Sequence, residues 1–287
     1  MKAVVKKVRK LEHPSSASGI EYINGLYYVI GDDANALFIL YPADLSVQKT
    51  IPFVRGELVQ ERIPKKQKSD FECMSFVYVQ EVPHILIMGS GSKPQRQVAY
   101  LYNLVTQTME TLDYTDFYQK LEKDTSFTLG AELNVEAATS THEHIYLFQR
   151  GNNASKNTFL RFSVQDILKP NDYRIFTADL PNIEKGKAGF SGACYVLEWN
   201  ALLFTASVEL TKDAYNDGRV LGSFVGIIEQ NQVKECEIIT YPDGRSYIAK
   251  VESISVEKVL NPRSLVAVAV TDSDGKASEM IEIEITR

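Results

Sequence analysis

Residues Asn134 to Asn153 read NVEAATSTHEHIYLFQRGNN, with a glutamate opening one apolar run and an arginine ending the next. Two strand-like runs joined by a short polar turn make an antiparallel hairpin, in which the start of the first strand lies beside the end of the second. Glu136 and Arg150 are therefore expected on one rim. The arrangement recurs four times: SGIEYINGLYYVIGDD from Ser18, ECMSFVYVQEVPHILIMGSG from Glu72, SGACYVLEWNALLFTASVE from Ser191 and ESISVEKVLNPRSLVAVAVTDSD from Glu252. Each copy opens with Glu or Ser, passes through a small residue, turns, and closes its second run in polar residues. Self-similarity at a long period decides the architecture before any single element does.

The copies start 54, 64, 55 and 61 residues apart, room for two further strands in each interval. ALFILYP (Ala36 to Pro42) and VQKTIPF (Val47 to Phe53) follow the first copy; TFLRFSV (Thr158 to Val164) and RIFTADL (Arg174 to Leu180) follow the third. Four short strands joined by turns make a propeller blade. The pattern predicts an all-β fold, a five-bladed β-propeller forming one domain over residues 1–287. A six-bladed ring is the alternative and would need a sixth copy. Asn24-Gly25 is a two-residue hairpin signal, and Asp243-Gly244 and Asp274-Gly275 mark further turns. Tyr114, Phe117 and Leu121, at helical spacing in YTDFYQKLEKD, predict a short helix between blades. The last copy holds too few residues for a full blade, so VVKKVRKL (Val4 to Leu11) is expected to pair with the alternating EMIEIEIT (Glu279 to Thr286) and close it.

A formal charge of −6 and 44% hydrophobic content describe a chain able to bury a large core, and the net charge argues against nucleic-acid binding. The basic run KKQK (Lys65 to Lys68) reads as a solvated loop. Cys73, Cys194 and Cys236 sit in apolar runs without metal-type spacing and read as buried reduced thiols. Neither a signal peptide nor a membrane-spanning run is evident, so a cytoplasmic protein is expected, or an exported one if a signal peptide has been removed. GSGSK (Gly89 to Lys93) lacks the P-loop pattern, and there is no GxSxG elbow.

Superposing the copies places Ser18, Glu72, Glu136, Ser191 and Glu252 around one channel mouth, with Asp32, Ser90, Arg150, Ser207 and Asp272 behind them at the hairpin exits. Three converging glutamates raise each other's pKa. A cation such as calcium, which takes six to eight oxygens, would compensate them; so would Arg150 or shared protons. Each glutamate could instead accept a backbone N–H from the next blade as a latch. Arg150 could clamp an anion bidentately or neutralise Glu136. His142 and His144, in the turn of the third copy, fall on the opposite face, and Trp199 and the tyrosines are expected to fill gaps between blades.

The openings SGIEYI, DFECMSF and NVEAAT, with strand ends GDD and QRGN, resemble bacterial phytase-like and esterase-like propellers. They look most similar to an uncharacterised group of these, and the resemblance extends over essentially the whole chain. It implies calcium held by acidic side chains at the mouth, here Glu72, Glu136 and Glu252, and metal-assisted hydrolysis of a phosphate ester or lactone. Arg150, Ser18, Ser191, Asp32 and Asp272 would then contact a small anionic ligand. At Ser18 and Ser191 a hydroxyl stands where the pattern has a carboxylate. The competing expectation is a non-catalytic propeller whose rim docks a protein partner.

Overall fold

The chain alternates between apolar runs and tight turns, and the computed structural model, which describes residues 1–52, 63, 67–151, 156–210, 218–272 and 277–287, turns those runs into strands. After β1 (Lys2–Leu11), one sheet holds β2 (Ala17–Ile23), β3 (Leu26–Gly31), β4 (Ala36–Leu40) and β5 (Val47–Pro52) in sequence order. A second holds β6 (Phe71–Val79), β7 (Val82–Gly89), β8 (Ala99–Asn103) and β9 (Thr108–Leu112). A third holds β10 (Val135–Ser140), β11 (His144–Gln149), β12 (Asn157–Ser163) and β13 (Arg174–Ala178). The remainder are β14 (Asn182–Ile183), β15 (Gly186–Val196), β16 (Ala201–Leu210), β17 (Arg219–Glu229), β18 (Gln232–Thr240), β19 (Lys250–Asn261), β20 (Ser264–Asp272) and β21 (Ser278–Thr286). With β1 they form a nine-stranded sheet, ordered β14-β15-β16-β17-β18-β1-β21-β20-β19. It divides at β1 and β18, whose parallel contact is only Ala3 to Ile239 and Val4 to Thr240.

The N-terminal strand pairs as the sequence predicts, antiparallel to β21 from Lys2 opposite Thr286 to Leu11 opposite Ser278. Period-2 alternation explains the pairing, because Ile281, Ile283 and Ile285 are fully buried while Glu282 and Glu284 face outward, within reach of Lys7 and Lys6. Asn24 and Gly25 turn the first hairpin with φ of 50° and 79°, the left-handed pair that matches strand twist. Asp243-Gly244 is likewise a turn, with the Gly244 N–H donating to Tyr241 O. The Asp274-Gly275 turn lies outside the described residues.

The expected helix is α1 (Thr115–Lys123), which buries Phe117, Tyr118 and Leu121. A second short turn of helix, α2 (Thr125–Thr128), is capped by the Asp124 carboxylate accepting from Ser126 N. Both pack against β6–β8 and β10–β12 in one apolar cluster. Comparable clusters lie between each neighbouring strand set. The cluster around Leu11, Ile20, Val29, Val268 and Met280 sits between the C-terminal strands and the first sheet. Trp199 fills such a cluster and donates to Pro262 O at 3.0 Å, as expected for a gap-filling ring. Cys73 and Cys194 are buried free thiols and Cys236 is half-buried. Among the described residues, no helix is long and apolar enough to cross a membrane.

Candidate binding site at the channel mouth

The innermost hairpins share one irregularity. Pairing runs Ala17–Gly31 then Gly19–Ile30, skipping Ser18; it skips Glu72 between Phe71 and Cys73, and Glu136 between Val135 and Ala137. It also skips Ser191 between Phe190 and Gly192, and Glu252 between Val251 and Ser253. Every residue that opens a sequence repeat is thus the extra residue of a β-bulge. A bulged residue leaves the ladder and is re-aimed, a device common beside functional sites. At the five repeat positions β2, β6, β10, β15 and β19 all leave their pairing pattern at the same end; β19 does so twice more, at Glu257 and Leu260, farther along.

The two serines act as latches between strand sets. Ser18 Oγ donates to Phe71 O, and Ser191 Oγ donates to Val251 O at 2.6 Å. Each hydroxyl therefore binds the carbonyl just before the next bulge. Ser207 also donates to Val251 O, at 2.9 Å. Among the described residues no mouth glutamate accepts a backbone N–H, so the glutamate latch considered from sequence is absent there. Glu21, deeper along β2, does that work by accepting from Phe76 N at 2.9 Å.

The glutamates sit in a charge network instead. Arg150 donates through Nη1 to Glu136 at 3.4 Å and through Nη2 to Glu209 at 2.8 Å. Neutralisation of Glu136, one of the two roles read from sequence, is visible, and both terminal nitrogens are engaged. Gly189 makes this possible, since a Cβ there would come within 2.7 Å of Arg150 Cγ. Asn134 Nδ2 donates to Glu136 at 2.5 Å, and Lys250 pairs with Glu252 at 2.8 Å. Glu252 Oε2 is buried without a hydrogen-bond partner among the described residues. Burial, first, and Glu136 and Asp272 nearby push the Glu252 carboxyl up to about 7, against the pull of Lys250 and Arg150.

On the other side of the mouth, Asp32, Asp70 and Glu72 bring three carboxylate oxygens within 4.8 Å of one another. Lys68 lies between them, paired with Asp32 and, at 2.7 Å, with Asp70. The expectation that KKQK is a solvated loop fails at Lys68: its side chain is only 13% exposed, because two carboxylates draw it in. Arg96 and Ser90 each contact Asp70 at 2.6 Å. Glu72 has no hydrogen bond or ion pair among the described residues, and burial with the charges of Asp70, Glu136 and Asp32 holds its carboxyl well above the usual carboxylate range.

The structure therefore groups Glu72 with Asp32 and Asp70, while Glu136, Glu252 and, more weakly, Glu72 all act on Arg150. Asp272 stands opposite Lys250 at the exit of β20. Asp70, Arg96, Lys250 and Glu209 carry no assignment from sequence, and the sequence places Lys68 in solvent. The missed signal is spacing: Asp70, Asn134 and Lys250 each stand two residues before a bulge residue, at or just before the start of β6, β10 and β19. His142 and His144 lie at the far end of β10 and line a separate cleft of 570 Å³ with Glu81 and Glu143, as the hairpin geometry requires.

Small antiparallel sheets packed side by side, with polar bulges gathered at one end of their inner strands, define a β-propeller with an acidic mouth. Residues 13–285 match the model of a family of unknown function, DUF6929, and the chain belongs to that family. No curated protein matches it. Glutaminyl cyclase of Myxococcus xanthus is similar in fold, with a TM-score of 0.56 at 9% identity, over 99% of this chain and 97% of that one. The WD40 propeller domain of Doa1 aligns with a TM-score of 0.40 at 10% identity, over 98% and 96%. Hydrazine synthase of Kuenenia stuttgartiensis aligns with a TM-score of 0.45 at 7% identity; 91% of this chain covers 57% of that one.

Proposed function

We propose that the chain is a single five-bladed propeller domain, residues 1–287, whose mouth binds a divalent cation together with a small oxygen-rich ligand. The five bulges and the apolar clusters between successive strand sets support the blade count. The observation that carries the site is Glu72, a half-buried carboxylate without a partner among the described residues, beside Asp32 and Asp70. An all-oxygen donor set suits a hard cation such as calcium. Lys68 spans Asp32 and Asp70, so its ammonium would compete with a cation for these two carboxylates.

Asp32, Asp70 and Glu72 would hold the cation. Held there, a cation would supply Lewis-acid polarisation and water activation, chemistry that suits the phytase-like or esterase-like hydrolysis of a phosphate ester or lactone. Glu136 and Glu252 line the facing wall, and Arg150, fixed by Glu136 and Glu209, supplies positive field toward an anionic ligand. Ser18 and Ser191 shape the rim through their latches, while Asp32 and Asp272 offer acceptors at the hairpin exits.

The test is a calcium titration of melting temperature on chelator-stripped protein. Wild type should gain stability by mass action, about 2.7 kcal/mol at a hundredfold excess over the dissociation constant. Glu72→Gln should flatten the response and Lys68→Met should steepen it, since the competing ammonium is gone. A null response in wild type and Lys68→Met alike would overturn the metal reading and leave the docking platform as the better account.

A further inference from the structure

The far ends of the same inner strands enclose a second cavity of about 320 Å³, at the small end of the roughly 300–1,000 Å³ typical of ligand pockets. It lies three to four residues beyond each bulge, on the order of 10 Å along the strands. Residues of β2, β6, β10, β15 and β19 all contribute to its wall, so it belongs to the channel rather than to a loop cleft. Its chemistry is the reverse of the mouth's. At the mouth Asp32, Asp70, Glu136, Glu209 and Glu252 each have a lysine or arginine partner; here Glu21 is the one carboxylate, and no Lys, Arg or His lines the cavity among the described residues. Glu21 is held rigidly, accepting from Phe76 N and from Ser255 Oγ, both at 2.9 Å. Tyr22, Phe76 and Tyr195 supply aromatic wall, and Thr139, only 2% exposed, adds a side-chain hydroxyl to the lining.

We propose that this cavity binds a small organic ammonium, its charge on the Glu21 carboxylate and its carbon substituents against Tyr22, Phe76 and Tyr195, with the Thr139 hydroxyl accepting an N–H. An aromatic wall beside a fixed carboxylate attracts cations by both the ring quadrupole and the charge. An anion would meet no positive group, and a hard metal ion would find one carboxylate where it needs six to eight oxygens. Burial pushes the Glu21 carboxyl up to about 7; an ammonium stabilises its ionised form, so ligand and protein compensate each other's desolvation.

The probes are benzylammonium and its neutral counterpart benzyl alcohol, titrated calorimetrically at about pH 8, where Glu21 is ionised. Saturable binding of benzylammonium is expected, with benzyl alcohol at least about tenfold weaker, a difference of roughly 1.4 kcal/mol. Glu21→Gln should lose that preference. Tyr195→Leu, which leaves the carboxylate latch intact, should weaken benzylammonium several-fold while retaining a cooperative melt. Glu72→Gln should leave it unchanged, which separates this cavity from the mouth. Equal affinity for the alcohol, full affinity in folded Glu21→Gln or Tyr195→Leu, loss in Glu72→Gln, or no saturable binding to wild type would overturn the proposal.

Discussion

Glu252 shows how the mouth ties stability to pH. Its carboxyl is raised from an ordinary value of 4.5 to about 7, foremost by burial. Between those values the folded chain holds a proton that the unfolded chain has released, so stability falls as pH rises from about 4.5 through 7 and levels above it. A shift of this size corresponds to on the order of 3 kcal/mol. Glu252→Gln keeps an acceptor for Lys250 and removes the titration. Urea midpoints taken at about pH 5 and pH 8 should therefore lie closer together in the variant than in wild type. An unchanged gap would mean that Glu252 ionises normally and that Lys250 fully compensates it. The same exchange bears on ligand binding, because Glu72 is also held above the usual range and a cation must displace its proton; calcium affinity should rise with pH as that proton is lost.

At the level of elements, the bulged hairpin is the unit from which the molecule is assembled. Gly192 illustrates its tolerances: a Cβ there would meet Ser253 Cα at 2.6 Å and Glu252 O at 3.0 Å, both backbone. Gly192→Ala should push β15 from β19, costing roughly 1–3 kcal/mol, and should disturb the Ser191 latch, read as a lower melting temperature; an unaffected melt would show that the strands can part freely. Much of this unit is legible from sequence. Turn residues such as Asn24-Gly25 need positive φ, apolar alternation sets the strand faces, and Glu or Ser recurs at each opening. The bulge itself is not legible, because one extra residue in a ladder depends on the register of the partner strand. Nor is Lys68, whose basic neighbours suggest solvent, while its burial follows from Asp32, distant in sequence, together with Asp70 two residues on. Glu21 was hidden for a similar reason: its partners Phe76 and Ser255 belong to two other strand sets.

Across the whole molecule, the two chain ends meet in one strand pair, and stability should depend on that meeting. β1 lies between β18 and β21, and it buries Ala3, Val5 and Leu11 at no more than 3% exposure. Val5 and Ala3 belong to the apolar cluster shared with β15–β21, whereas Leu11 belongs to the cluster shared with β2–β4. One strand thus joins two packing regions as well as two hydrogen-bonding partners. Removing residues 1–11 would strip these side chains from both clusters, leave the outer edge of β21 without its ladder partner, and delete the Met1 ammonium pair with Glu235 at 2.8 Å. Exposure of about three apolar core positions plus a strand edge costs on the order of 5 kcal/mol or more, which for a chain of this size lowers the melting temperature by roughly 10 °C or beyond. The truncated protein should also self-associate, since β21 would present a free edge rich in β-branched residues. Adding the peptide Met1 to Leu11 in trans should restore part of the lost stability and suppress the association. A truncated chain that melts like wild type and stays monomeric would show that the other strand sets hold the fold without the N-terminal strand.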